Sequence, residues 1–153
     1  MMQKLTANAQ IQIQKSMNDV FQAIIEPSKM SNYFIGESSG TLETDKTVQW
    51  SFPEFPESFP VTGKEIVADT YISFDWSGGE ANQLVEIFLS EGDNNSTVVR
   101  IVEHEMENTP DGVEQMKRQT GGWANFLACL KAYLEYGINL RIGAFDYMKQ
   151  SER

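Results

Sequence analysis

The spacing of apolar residues along this chain switches between two periods, and each switch marks a change of element. Residues 7–14, ANAQIQIQ, alternate with Ile11 and Ile13 on one face, which predicts a strand. Val20, Phe21, Ile24 and Ile25 then recur at helical spacing. Ser16 and Asp19 form a capping pair ahead of that run, and Pro27 stops it. Ser28 is placed to cap a second short helix carrying Met30, Tyr33 and Phe34, with Gly36 as its exit.

From residue 40 to 106 the period is two. Val48, Trp50 and Phe52 share a face. PEFPESFP at 53–60 breaks the pattern, because proline has no ladder donor for a central strand. Extended structure resumes at Val61–Val67, turns at Ala68-Asp69-Thr70, and continues through Ile72, Phe74 and Trp76 until Ser77-Gly78-Gly79. Two further strands, Gln83–Ser90 and Thr97–Met106, flank the hairpin loop EGDNN. Thr109 and Pro110 then open a long helix that ends at Gly137. At about 1.5 Å per residue it spans roughly 40 Å, enough to cross a sheet. Helices segregated from an antiparallel sheet make the predicted class α+β.

The long helix repays closer reading. Trp123, Phe126, Leu127, Leu130, Tyr133 and Leu134 fall on one side of it, while Asn125, Lys131 and Glu135 fall elsewhere. Val48, Trp50, Phe52, Ile72, Phe74 and Trp76 are the apolar positions available to face it. Ordinary core packing is one reading of such a stripe. A partly filled cavity is the other, because indoles and phenols bury well only when their polar ends find partners.

Local motifs place this order in a family. VFQAIIEPSKMSNYF at 20–34, GKEIVADTYISFDW at 63–76 and GGWANFLACLKAYLEYG at 121–137 resemble motifs of the family named after the activator of Hsp90 ATPase, within the START-like superfamily. The resemblance runs from about residue 7 to 137, as one domain. Tyr33 stands where the family usually has tryptophan, and Asp69 where it often has proline. The resemblance implies a helix-grip fold: a curved antiparallel sheet wrapped around a long C-terminal helix, with two short helices after the first strand. It also implies a cavity between sheet and helix for a small hydrophobic molecule. The residues it makes candidates for that pocket are Tyr33, Trp50, Phe52, Phe74, Trp76, His104, Trp123, Phe126, Leu127, Leu130 and Tyr133. A chaperone-associated module, with a chaperone partner or self-association, is the alternative. A cyclase or hydrolase on the same fold is a third, and it would need His104, Tyr71, Tyr133 or Glu103 to point into the pocket.

Composition trims these readings. A net charge of −10 on 153 residues opposes binding to nucleic acid or to anionic membranes. The single cysteine, Cys129, cannot form an internal disulfide, which suits a reducing compartment and a cytoplasmic location. His104 is the only histidine, and in a strand it faces away from Glu103 and Glu105, so no metal set forms around it. No cofactor or metal is expected. Gly121 and Gly122 lie inside the long helix at a cost of about 1 kcal/mol each relative to alanine, which predicts a close approach by a strand or the short helices, or a bend. The 53–60 segment and the tail from 138 to 153 have no clear counterpart in the family.

Overall fold

The computed structural model describes residues 4–78 and 83–152. Its strands are β1 Leu5–Ile13, β2 Glu37–Ser38, β3 Thr47–Ser51, β4 Ser58–Val67, β5 Tyr71–Asp75, β6 Leu84–Gly92 and β7 Ser96–Met106. They form one antiparallel sheet in the order β1-β7-β6-β5-β4-β3-β2, which is open at both edges. Its helices are α1 Met17–Ile25, α2 Pro27–Met30 and α3 Pro110–Tyr136, and a 3-10 stretch, Asp146–Glu152, follows. The arrangement is α+β and of the helix-grip type expected.

Local chemistry explains most element boundaries. Ser16 accepts a hydrogen bond from the Asp19 amide and starts α1. Thr109 accepts from the Gly112 amide, Pro110 occupies the first turn, and Gly137 ends α3 in the left-handed region at φ 66°. The β6–β7 hairpin turns on Asn94 and Asn95, with φ of 58° and 60°, residues that tolerate this conformation.

Some boundaries differ from expectation. Pro27 begins α2 as well as ending α1, since a proline at a first helical position forfeits no bond. Ser28 therefore lies inside α2, and Glu26 precedes it without a side-chain cap. Pro60 lies within β4, opposite Gln49 of β3. It is tolerated because β5 pairs with β4 only from Thr62 onward, so the missing donor has no ladder to serve. Phe52 and Trp76 sit one residue beyond β3 and β5. The strand break is seen as far as Gly78; Gly79 lies outside the described residues.

Helix α3 packs chiefly on β1 and β7, at one side of the sheet. Over the other side, aromatic rings fill the layer. Trp50 and Phe74 meet edge to face at 5.3 Å, Phe34 and Phe126 at 4.7 Å, and Trp76 and Trp123 lie 5.2 Å apart. Leu127 and Leu130 complete the contact beneath the helix and are almost wholly buried.

Close backbone approach occurs at Gly63, where a Cβ would lie 2.0 Å from the Glu43 carbonyl oxygen. Gly63 also exchanges backbone hydrogen bonds with the loop before β3, from its amide to Lys46 and from Asp45 to its carbonyl. Gly63→Ala is expected to cost about 2–3 kcal/mol in urea unfolding, because the clash is with backbone that cannot rotate away.

Candidate functional site

A cavity of about 560 Å³ opens along the flank of α3, on the side toward β3–β5. Helical geometry puts Arg118, Gly122, Asn125 and Cys129 in one row on that flank. Trp123 and Phe126 form the inner wall, Tyr33 and Phe34 close one end, and Phe52, Phe55 and Trp76 stand opposite. Phe145, Tyr147 and Met148 of the tail cover it.

The two helix glycines have an unexpected setting. A Cβ on Gly121 or Gly122 would meet nothing within 4 Å beyond the helix's own neighbourhood. Neither admits a close approach, and α3 runs through both without interruption. The expected close approach or bend is not found; instead their missing side chains leave room on the cavity side.

The inner wall is held from behind by Glu103, which is fully buried. Trp123 Nε1 donates to its Oε1 at 2.8 Å and Gln119 Nε2 to the same oxygen at 2.9 Å. Trp76 Nε1 donates to its Oε2 at 3.0 Å. A buried carboxyl without such donors would cost several kcal/mol, and here no cation pairs with it among the described residues. All three donors border the cavity. One acidic group therefore fixes the orientation of two indoles and an amide at once.

The cover is latched by a second buried group. Arg141 donates from both terminal nitrogens to Glu54, at 2.6 and 2.8 Å, in a bidentate pair. The guanidinium lies 4.6 Å from the Phe145 ring centroid and 5.7 Å from that of Phe52. Asn139 accepts from the amides of Arg141 and Ile142 and so shapes the turn that delivers the arginine. The hydrogen bonds from Arg141 hold Glu54 below the ordinary carboxylate value, against burial that pushes it up. Burial pushes the Cys129 thiol up, which keeps it protonated and unreactive. Tyr33 is raised well above the usual phenol value by burial, and its hydroxyl donates to the Ala23 carbonyl at 2.8 Å.

Of the residues expected to line a pocket, Tyr33, Phe52, Trp76, Trp123 and Phe126 border this cavity. Trp50, Phe74, Leu127 and Leu130 lie in the core instead. Tyr133 stacks on Tyr33 at 5.9 Å without reaching the cavity. His104 is on the opposite face of the sheet, where its Nε2 lies 2.8 Å from Glu86 Oε1, while the Tyr71 hydroxyl donates to the other oxygen at 2.6 Å. Sequence reasoning named Glu103 only as a possible acid or base, not as a support for the wall, and did not single out Glu54 or Arg141. Glu103 had a signal, since it shares the inward parity of Val99 and Ile101 on β7. Glu54 and Arg141 had none, being 87 residues apart in segments without periodicity. Among the described residues, no group of His, Cys, Asp and Glu side chains is arranged to hold a metal ion. No helix of these residues is long and apolar enough to cross a membrane.

Comparison with known proteins agrees with this architecture. The sequence model of a family described as activator of Hsp90 ATPase homolog 1-like protein matches residues 14–135. Among solved structures, protein SSP2350 from Staphylococcus saprophyticus is 26% identical with a TM-score of 0.79, over 90% of this chain and 96% of that one. The Aha1 dimer from Colwellia psychrerythraea has a TM-score of 0.75 at 20% identity, over 87% of this chain and 98% of that one. DynU16, from the dynemicin biosynthetic locus, has a TM-score of 0.76 at 18% identity, and the alignment covers 88% of this chain and 48% of that longer one. No curated protein matches the chain.

Two measurements test the site's construction. Glu103→Leu strands two indole N–H groups and an amide, so a loss of about 3–5 kcal/mol in urea unfolding is expected. Glu103→Gln keeps one acceptor oxygen and should lose roughly half as much. For the latch, the folded chain holds Glu54 below its unfolded value. The Glu54–Arg141 pair therefore contributes fully above about pH 4.5 and loses its contribution as pH falls through the lower folded value. Proteolytic cutting within 138–149 should rise at acid pH in the parent chain, and should already be high at neutral pH in Glu54→Gln.

Proposed function

The chain belongs to the activator of Hsp90 ATPase homolog 1-like family, and from that membership and the geometry of the α3 flank we propose that it binds a small, mainly apolar molecule in the cavity without transforming it. The observation that carries this reading is the glycine pair. A helix interior that forgoes side chains at two successive positions gives up about 1 kcal/mol at each relative to alanine. Packing does not account for it, because nothing approaches either position. Keeping room for an occupant does.

The surroundings suit that occupant. A volume of about 560 Å³ is within the range of small-molecule sites, and aromatic rings are the commonest side chains in its walls. The wall residues are anchored before anything binds, since Glu103 holds Trp76, Trp123 and Gln119. Preorganisation of this kind lowers the ordering cost of binding.

A catalytic reading needs an acid or base that reaches the cavity. Glu54 is the carboxyl that lines the cavity, and Arg141 engages both its oxygens, while Glu103 sits behind the wall with both of its own engaged. His104 faces the other side of the sheet. Binding is therefore the function the arrangement supports best.

Thermal unfolding in the presence of a panel of hydrophobic metabolites tests the proposal. A ligand selective for the folded chain raises its apparent stability by about 2.7 kcal/mol at a hundredfold excess over Kd. Gly122→Leu should raise the basal midpoint, because leucine is the better helix former, while abolishing the ligand-dependent shift. A shift that survives in Gly122→Leu would place binding elsewhere and end this reading.

A further inference from the structure

The charged groups around the cavity point to the kind of molecule it takes. The chain carries 22 acidic residues against 12 lysines and arginines. The lining of the cavity reverses that balance: Lys117, Arg118 and Arg141 against the single carboxylate of Glu54. Glu54 is spent on Arg141 in the bidentate latch. Lys117 has only an exposed i,i+3 contact with Glu114 at 3.4 Å, a pair of the sort worth little in water. Arg118 has no ion pair or hydrogen bond among the described residues. An acidic chain therefore keeps an uncommitted guanidinium and a weakly held ammonium among the residues that line an aromatic cavity. The Asn125 side chain adds a polar group on the same flank.

We propose that the ligand is an amphipathic anion: an apolar, preferably ring-containing body seated against Trp76, Trp123 and Phe126, with one carboxylate, sulfonate or phosphate group at Arg118 and Lys117. This rests on the cavity reading above and adds the headgroup to it. The apolar body takes the binding energy of burial. The headgroup stays at the rim, where arginine can meet two of its oxygens side by side while much of its hydration is kept. An ammonium-bearing ligand of the same shape would meet like charge there.

Two fluorescent probes with nearly the same body separate headgroup from cavity. Anilinonaphthalenesulfonate carries a sulfonate, and phenylnaphthylamine is the same aromatic skeleton without it. Both brighten in apolar surroundings. Titrated into the full chain at low ionic strength, the sulfonate is expected to bind roughly tenfold tighter than the neutral probe, with the gap narrowing as salt is added. Lys117→Gln/Arg118→Gln, two exposed positions whose change leaves the core intact, should bring the two affinities together. Gly122→Leu should lose both probes. Equal affinities in the parent chain, both lost in Gly122→Leu, would overturn the headgroup assignment and leave the cavity standing. Undiminished binding of both probes by Gly122→Leu, or no binding of either by the parent chain, would overturn the two together.

Discussion

A carboxyl group placed where water cannot reach it sets the terms for the rest of this molecule. Glu103 belongs to the strand that α3 crosses, and its burial is tolerable only because three N–H groups arrive from two other elements. Trp76 has to leave the end of β5 at the right height, and α3 has to present Gln119 and Trp123 four residues apart, one turn of helix. That requirement ties helix to sheet at one point and one rotation. Every buried side-chain nitrogen and oxygen among the described residues has a partner, so the interior carries no other polar group that competes for these donors.

With the helix so placed over β1 and β7, the far side of the sheet is left to aromatic side chains rather than to backbone. Trp50, Phe74 and Phe34 fill most of it. What they do not fill is the cavity. Its outer cover comes from segments that lie apart in the chain: the proline-containing stretch after β3, and the tail beyond α3. Residues 138–149 also lie outside the part matched by the family's sequence model. Arg141, seated between two phenylalanine rings and a carboxylate, joins them.

The fold was legible because its determinants are local. Period-two runs found the main strands, and α3 was bounded correctly by a threonine, a proline and a glycine, each acting on the backbone next to it. The two-residue β2 was too short to carry a period. The candidate cavity was harder to read. Phe74 and Trp76 share one face of neighbouring positions and belong to the same apolar pattern, yet one is core and the other stands at the cavity. Their difference arises from where α3 crosses the sheet, which no window of sequence contains. Glu103 stood in plain sight as an acidic residue at an inward parity. It was read only against His104 as a possible reacting group, when its role is to hold the wall. The Glu54–Arg141 pair depends on the folded chain bringing distant segments together, and so left no trace in spacing or composition.

The vacancy beside α3 is made by subtraction. Two consecutive positions on its border have no side chain, and any replacement there meets open space rather than resistance. Evolution can therefore close it in a single codon step, at a gain in helix stability and without disturbing the scaffold. Among chains that share this architecture, the residue aligned with Gly122 therefore becomes a discriminating character, since a bulky side chain there would fill space that glycine leaves open.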